Sequence, residues 1–143
     1  MEKEYLFVYG TLLSSLNSPA GSVLKMYAER ITPATINGRL YDIGGYPGLV
    51  LADDEGAKKG EVVYGELYVI REKENLLSAL DEYEGCSPRF PEPREYKRKV
   101  IPVITPQGNQ VQAWAYLYNW DLSRCLRIES GDYGEFVRSI GCG

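Results

Sequence analysis

The chain reads as an α+β protein: a mixed or antiparallel sheet, curled toward a small β-barrel, with two or three flanking helices. Three observations predict this. Extended runs rich in aromatic and β-branched residues follow one another in consecutive pairs. The strict strand–helix–strand alternation of a doubly wound fold is missing. One clear helical pattern, at 71–83, carries a single apolar stripe of Leu76, Leu77, Leu80 and Tyr83.

The elements follow in order. Residues 5–9 form an unbroken apolar run (Tyr5, Leu6, Phe7, Val8, Tyr9), the pattern of a strand buried on both faces, and Gly10 ends it. Residues 14–21 are polar and contain Pro19, so they read as loop. Residues 22–30 place Val23, Leu24, Tyr27 and Ala28 at helical spacing. Residues 31–43 read as extended chain with breaks at Pro33 and Gly38, and 44–48 as a turn. A short strand is expected at 49–52, a solvated turn at 53–60 and a longer strand at 61–70. Gly65 inside that strand signals a bulge or a close backbone approach.

After the helix at 71–83, Gly85 is a stop signal, and 86–94 is a loop interrupted by Pro88, Pro91 and Pro93. Residues 96–105 and 110–118 form a hairpin about the turn at 106–109. In its second strand Val111, Ala113, Ala115 and Leu117 share one face, and Gln112, Trp114, Tyr116 and Tyr118 the other. The tail carries a short helical pattern near 133–140. That makes about six strands.

Composition narrows the function. At 143 residues the chain is expected to be one domain over 1–143, its core at about 5–118 and a C-terminal tail at 119–143. The net charge is −4 with no basic run, which argues against nucleic acid. No long apolar stretch or signal-peptide pattern is seen, so the expectation is a cytoplasmic protein without membrane partners, a monomer or weak homodimer. There is no histidine, which removes Ser-His-Asp and Cys-His catalysis and the usual zinc and non-haem iron ligand sets. No tight Asp/Glu cluster near a glycine loop suggests magnesium, so neither metal nor cofactor is expected. Cys86, Cys125 and Cys142 are irregularly spaced and read as free thiols. Twelve tyrosines suit a polar pocket lined by rings.

Two short segments carry the chemistry. On a helix of 100° per residue, Leu77, Leu80 and Glu84 lie on one side, while Asp81 and Glu82 are rotated away from the centre of the stripe. Glu84 is therefore the acid aimed at the core. Desolvation and the negative helix C-terminus both push its pKa upward, toward the range where a carboxylate takes and returns protons. The bland alternative is a glutamate at a frayed helix end, in water or paired with Arg89 or Arg94. The second segment is Tyr9-Gly10-Thr11-Leu12. A buried strand ending in Gly-Thr offers backbone N–H groups without strand partners, able to bind a carboxylate or an oxyanion. Taken alone it is also a common turn.

Together the segments identify a resemblance. The chain resembles the γ-glutamylcyclotransferase-like family, through Tyr9-Gly10-Thr11-Leu12, Gly38-Arg39-Leu40-Tyr41-Asp42 followed by Tyr46-Pro47, and Val63-Tyr64-Gly65-Glu66-Leu67-Tyr68. Leu80-Asp81-Glu82-Tyr83-Glu84-Gly85 and the late strand with Tyr116 and Tyr118 complete it. The resemblance implies a γ-glutamylcyclotransferase-like fold with a central barrel and a pocket at its mouth. It implies that Tyr9, Gly10, Thr11 and Leu12 bind the γ-glutamyl group and that Glu84 is the general acid/base. Tyr46 and Tyr96 join them as substrate contacts. The implied reaction turns a γ-glutamyl amine or amino acid into 5-oxoproline and a free amine, without metal or cofactor.

Other readings stay open at this stage. The same pocket could serve a non-catalytic domain that binds a small carboxylate or γ-glutamyl metabolite. Cys86, two residues from Glu84, could be a reactive thiol, although no cationic partner is evident to activate it. The proline-rich segment at 86–96 could be a flap, with Arg89 and Arg94 meeting a carboxylate on the leaving group and Phe90 covering an apolar one, or merely a connector.

Overall fold

The computed structural model describes residues 3–9, 19–43, 47–51, 61–84 and 88–141, with backbone alone for 19–21, 83–84 and 138–141. The elements are β1 (Glu4–Val8), α1 (Pro19–Tyr27), β2 (Ala28–Asp42), β3 (Pro47–Leu51) and β4 (Val62–Ile70). Then come α2 (Lys73–Glu84), β5 (Tyr96–Ile104), β6 (Gln110–Tyr118), β7 (Leu126–Arg127) and α3 (Tyr133–Gly141).

Five strands pair in the order β2-β4-β1-β6-β5, and the single pairing of Thr35 with Ile104 closes β5 back onto β2. The result is a small barrel. β3 and the two-residue β7 extend it along the far end of β2. All pairings are antiparallel except β1 with β6, so the sheet is mixed. That one parallel pair matters for the site, because β1 and β6 leave the barrel at the same end.

Side-chain alternation explains the two cores. Phe7 of β1 and Tyr9, just past its end, point into the barrel with Ile36, Val63, Leu67, Ile101 and Leu117. Leu6 and Val8 point outward and are covered by Leu24 of α1 and Leu76 and Leu80 of α2. A strand buried on both faces has no polar side to show water, which is why 5–9 is apolar throughout. Each fully buried leucine here contributes about 1.5–3 kcal/mol. β6 divides as its alternation predicts: Val111, Ala113, Ala115 and Leu117 inside, Trp114, Tyr116 and Tyr118 in the layer under the helices.

Several expectations need correction. The helix expected at 22–30 is Pro19–Tyr27, and Ala28 already pairs with Ile70 as β2 begins. Pairing with β4 there overrides helical spacing. Pro33 does not break β2: the strand passes through it beside a bulge between Arg30 and Thr32, and of its residues only Thr35 pairs with β5. Gly65 marks a close approach rather than a bulge. A seventh strand, β7, lies in the tail, and the barrel core draws on the tail through the buried Ile128 and Tyr133. Among the described residues no helix is long and apolar enough to cross a membrane.

Candidate active site

Tyr9 and Asp81, one from each sequence segment, are joined through one residue, Tyr116 of β6. Tyr9, at the end of β1, is buried, and its hydroxyl donates to the Tyr116 carbonyl. The Tyr116 hydroxyl in turn donates to Oδ1 of Asp81 at 2.7 Å. The other carboxylate oxygen of Asp81 pairs with Arg98 at 3.1 Å. The Arg98 guanidinium lies 5.0 Å from the centre of the Trp114 ring. Asp81 sits three residues before Glu84, one turn of α2. Tyr116 therefore ties the end of β1 to the last turn of α2, through its main chain on one side and its hydroxyl on the other.

This corrects the place of Asp81. Helical spacing turns it away from the stripe, yet its side chain is only 18% exposed. A helix projection knows nothing of the sheet beneath, and here Tyr116 and Arg98 reach up and draw the carboxylate in. Burying a charge is tolerable because both of its oxygens are hydrogen-bonded or paired.

A second link reaches the first residue of β3. Tyr96, at the start of β5, is buried and donates its hydroxyl to the Pro47 carbonyl at 2.5 Å. Its ring meets Tyr118 edge-on with centroids 5.4 Å apart. Tyr96 thereby ties the start of β5 to the first residue of β3.

Of the residues expected at the site, Tyr9 and Tyr96 are described with their side chains, and Glu84 is the last residue of α2, described by its backbone. Gly10, Thr11, Leu12 and Tyr46 lie outside the described residues, as do Cys86 and Cys142. Arg89 pairs with Glu82 at 2.6 Å, and Arg94 donates through Nε to the Phe90 carbonyl at 3.0 Å. The loop is fastened to the end of β6: Asn119 Nδ2 donates to the Arg94 carbonyl and Trp120 Nε1 to the Pro93 carbonyl, both at 2.9 Å. Burial, with Asp121 and Asp42 nearby, raises the pKa of the Cys125 thiol, which disfavours the reactive thiolate. Among the described residues no group of three or more His, Cys, Asp or Glu could hold a metal ion.

Sequence reasoning missed Asp81, Arg98 and the bridging role of Tyr116. The aromatic face of β6 was a signal for the last, but alternation does not say what packs against that face. A cavity of about 280 Å³ adjoins this network, lined by Asp81, Glu92, Arg94, Tyr96, Lys97 and Arg98 among others. A larger one of about 520 Å³ lies near the β5–β6 turn and the start of α3, and shares no residue with the network. Size does not outweigh that separation.

A closed barrel with two helices over one face, and a carboxylate-bearing helix end beside the exit of β1, defines the class of protein. The family model described as "Gamma-glutamyl cyclotransferase, AIG2-like" matches residues 6–135, and the chain belongs to this family. A Vibrio cholerae protein named "Putative gamma-glutamylcyclotransferase" is 38% identical over 98 residues, 68% of this chain and 68% of that protein. A Methanocaldococcus jannaschii protein given the same description is 29% identical over 135 residues, 93% of this chain and 98% of its own. Among solved structures, YkqA from Bacillus subtilis superposes with a TM-score of 0.71 at 25% identity, covering 99% of this chain. This chain spans 44% of YkqA. The ytfP protein of Escherichia coli superposes with a TM-score of 0.61 at 30% identity, over 90% of this chain and 95% of that one.

Proposed function

We propose that this protein is a γ-glutamylcyclotransferase-like enzyme. It converts a γ-glutamyl amine or γ-glutamyl amino acid into 5-oxoproline and a free amine, with Glu84 as general acid/base. The observation that supports this reading is the hydrogen-bonded link from Tyr9 through Tyr116 to Asp81, which brings the exit of β1 and the last turn of α2 to one end of the barrel. Family membership gives the reaction class its prior.

The reaction asks little of the protein. The α-amino nitrogen of the substrate attacks its own γ-carbonyl carbon, a C–N bond forms, and the amide C–N bond breaks. The nucleophile is tethered, so holding the chain folded supplies a high effective molarity. Glu84 takes the proton from the attacking ammonium and returns it to the departing nitrogen. Backbone N–H groups at Gly10, Thr11 and Leu12 stabilise the oxyanion between those steps. Tyr9 leads into that segment, and Tyr46 and Tyr96 flank the substrate. No water, metal or redox partner enters the balance.

The test is a panel of γ-glutamyl compounds scored for 5-oxoproline. Turnover of none of them by well-folded protein would favour a non-catalytic binder. Two further outcomes are expected in an active preparation. Gly10→Val should weaken substrate binding at least about tenfold, because a β-branched side chain blocks approach to the main chain, whereas Thr11→Ser should be mild. Unchanged KM in Gly10→Val would remove that turn from the binding site. Chelators should leave the rate unaffected, and loss of activity restored by one divalent ion would refute the metal-free mechanism.

A further inference from the structure

We infer that Asp81 is a positioning residue: Arg98 and Tyr116 hold its carboxylate to the sheet, and this fixes the last turn of α2, whose backbone carries Glu84. The bearing on catalysis rests on the reaction proposed above.

The last turn of α2 depends on outside support. A helix end leaves its last carbonyls without partners inside the helix, and it opens more easily than the middle. The sequence weakens this end further. Asp81, Glu82 and Glu84 crowd the pole where the helix dipole is negative, and the last turn holds no basic residue. Leu76, Leu77 and Leu80 are buried against the sheet, but beyond Leu80 the described side chains of α2 are two acids, Asp81 and Glu82.

The compensating cations come from other elements. Glu82 pairs with Arg89 at 2.6 Å, but the two side chains are 46% and 69% exposed, and such a pair contributes little. Asp81 is mostly buried, and each of its carboxylate oxygens has its own partner, the Tyr116 hydroxyl and the Arg98 guanidinium. Arg98 and Tyr116 stand directly opposite each other in the β5–β6 register, so they form a two-pronged cradle for one carboxylate. Hydrogen bonds from two prongs fix the height and rotation of the turn, whereas apolar burial is not directional.

The cradle sits on a stiff base. β6 lies between β1 and β5, and the Trp114 ring beside Arg98 is held by its Nε1, which donates to Glu4 at 2.9 Å. Glu4 also pairs at 2.8 Å with Lys73, in the first turn of α2. The helix is therefore fastened at both ends, to Glu4 at its start and to Arg98 and Tyr116 at its finish. The second fastening is the one beside Glu84, and the two can be loosened separately.

Tyr116→Phe and Glu4→Gln test this, since each weakens one fastening and leaves the sequence of α2 unchanged. Glu4→Gln loses the ion pair with Lys73 but can still accept from Trp114. Amide hydrogen exchange reads the helix, and kcat and KM on a γ-glutamyl compound that is turned over read the site. In Tyr116→Phe the amides of residues 82–84 should exchange about tenfold faster while those of 77–79 hold, as expected for the loss of one hydrogen bond to a charged group. Its kcat should fall about tenfold, because a displacement of about 1 Å at a reacting group can cost a hundredfold. The main-chain bond to Tyr9 survives in this variant, so KM should stay within about twofold. Arg98→Gln should repeat this result, with Arg98→Lys keeping more of the rate, and it serves if Tyr116→Phe folds poorly. Asp81→Ala loses both bonds and should lower kcat at least as far. Glu4→Gln should leave kcat and the exchange of the last turn unchanged. Faster exchange at 82–84 in Glu4→Gln as well, or in neither Tyr116→Phe nor Arg98→Gln, overturns the inference. So does an Asp81→Ala protein that keeps kcat within about twofold of normal. If the unmodified protein turns over no γ-glutamyl compound yet exchange behaves as stated, the fastening stands and the proposed reaction falls.

Discussion

Glu84→Gln is expected to abolish turnover, lowering kcat by a thousandfold or more while the protein keeps its fold. One carboxylate is asked to make two proton transfers, and general acid–base catalysis at a single step already contributes about 10²–10⁴-fold. A thousandfold loss corresponds to about 4 kcal/mol of transition-state stabilisation. The amide cannot accept the ammonium proton, but it preserves the size of the side chain and its place at the end of α2. KM should therefore move little while kcat collapses. Glu82→Gln is the matched control. Glu82 forms an exposed pair with Arg89, worth at most about 1 kcal/mol of stability, and the variant should turn over nearly as before. Near-normal turnover by Glu84→Gln would sink the mechanism.

How much of this was legible in the sequence depended on the range of the information needed. Local pattern marked β1, β4, α2 and the β5–β6 hairpin well, because each is an apolar run, a helical stripe or an alternating strand. It also divided β6 into its two faces. It failed where a partner decides. The start of β2 looked helical because Tyr27 and Ala28 continue the spacing of Val23 and Leu24, yet Ala28 pairs with Ile70. β7 is two residues long and exists only because Tyr41 and Asp42 offer it an edge. No periodicity could announce it.

The candidate site divides the same way. Glu84 was singled out by spacing on its own helix, and Tyr9 by its place at the end of an apolar run. Asp81 was passed over because its environment comes from Tyr116, 35 residues later in the chain, and from Arg98.

Gly65→Ala should be the most destabilising single methyl that could be added to the described part of β4. A Cβ built there meets the carbonyl oxygen of Val8 and lies 2.6 Å from the Phe7 ring, closer than real Cβ contacts come. Neither neighbour can yield cheaply. Phe7 is buried inside the barrel, and Val8 is bound into the pairing of β1 with β4. On its other side Gly65 is paired with Ala34 of β2, so β4 cannot retreat. Overpacking of this kind typically costs about 1–3 kcal/mol, and a collision with backbone belongs at the upper end, about 3 kcal/mol. That is a large fraction of an ordinary domain's stability of about 5–15 kcal/mol. The denaturant midpoint should drop with the m-value unchanged. Gly108→Ala is the contrast: its φ of 88° strains any side chain, but nothing lies within 4 Å, so the cost should stay near the 1–2 kcal/mol of a left-handed residue. The strain at Gly65 is also directed. It presses on Val8, the residue before Tyr9, and so on the strand end that leads into the segment proposed to bind substrate. Under conditions where Gly65→Ala remains folded, its KM should rise, while that of Gly108→Ala, at the tip of the far hairpin, should not. A Gly65→Ala protein with an unchanged midpoint, or one less affected than Gly108→Ala, would show that β1 and β4 are free to separate and that this glycine does not set the position of the strand leading into the site.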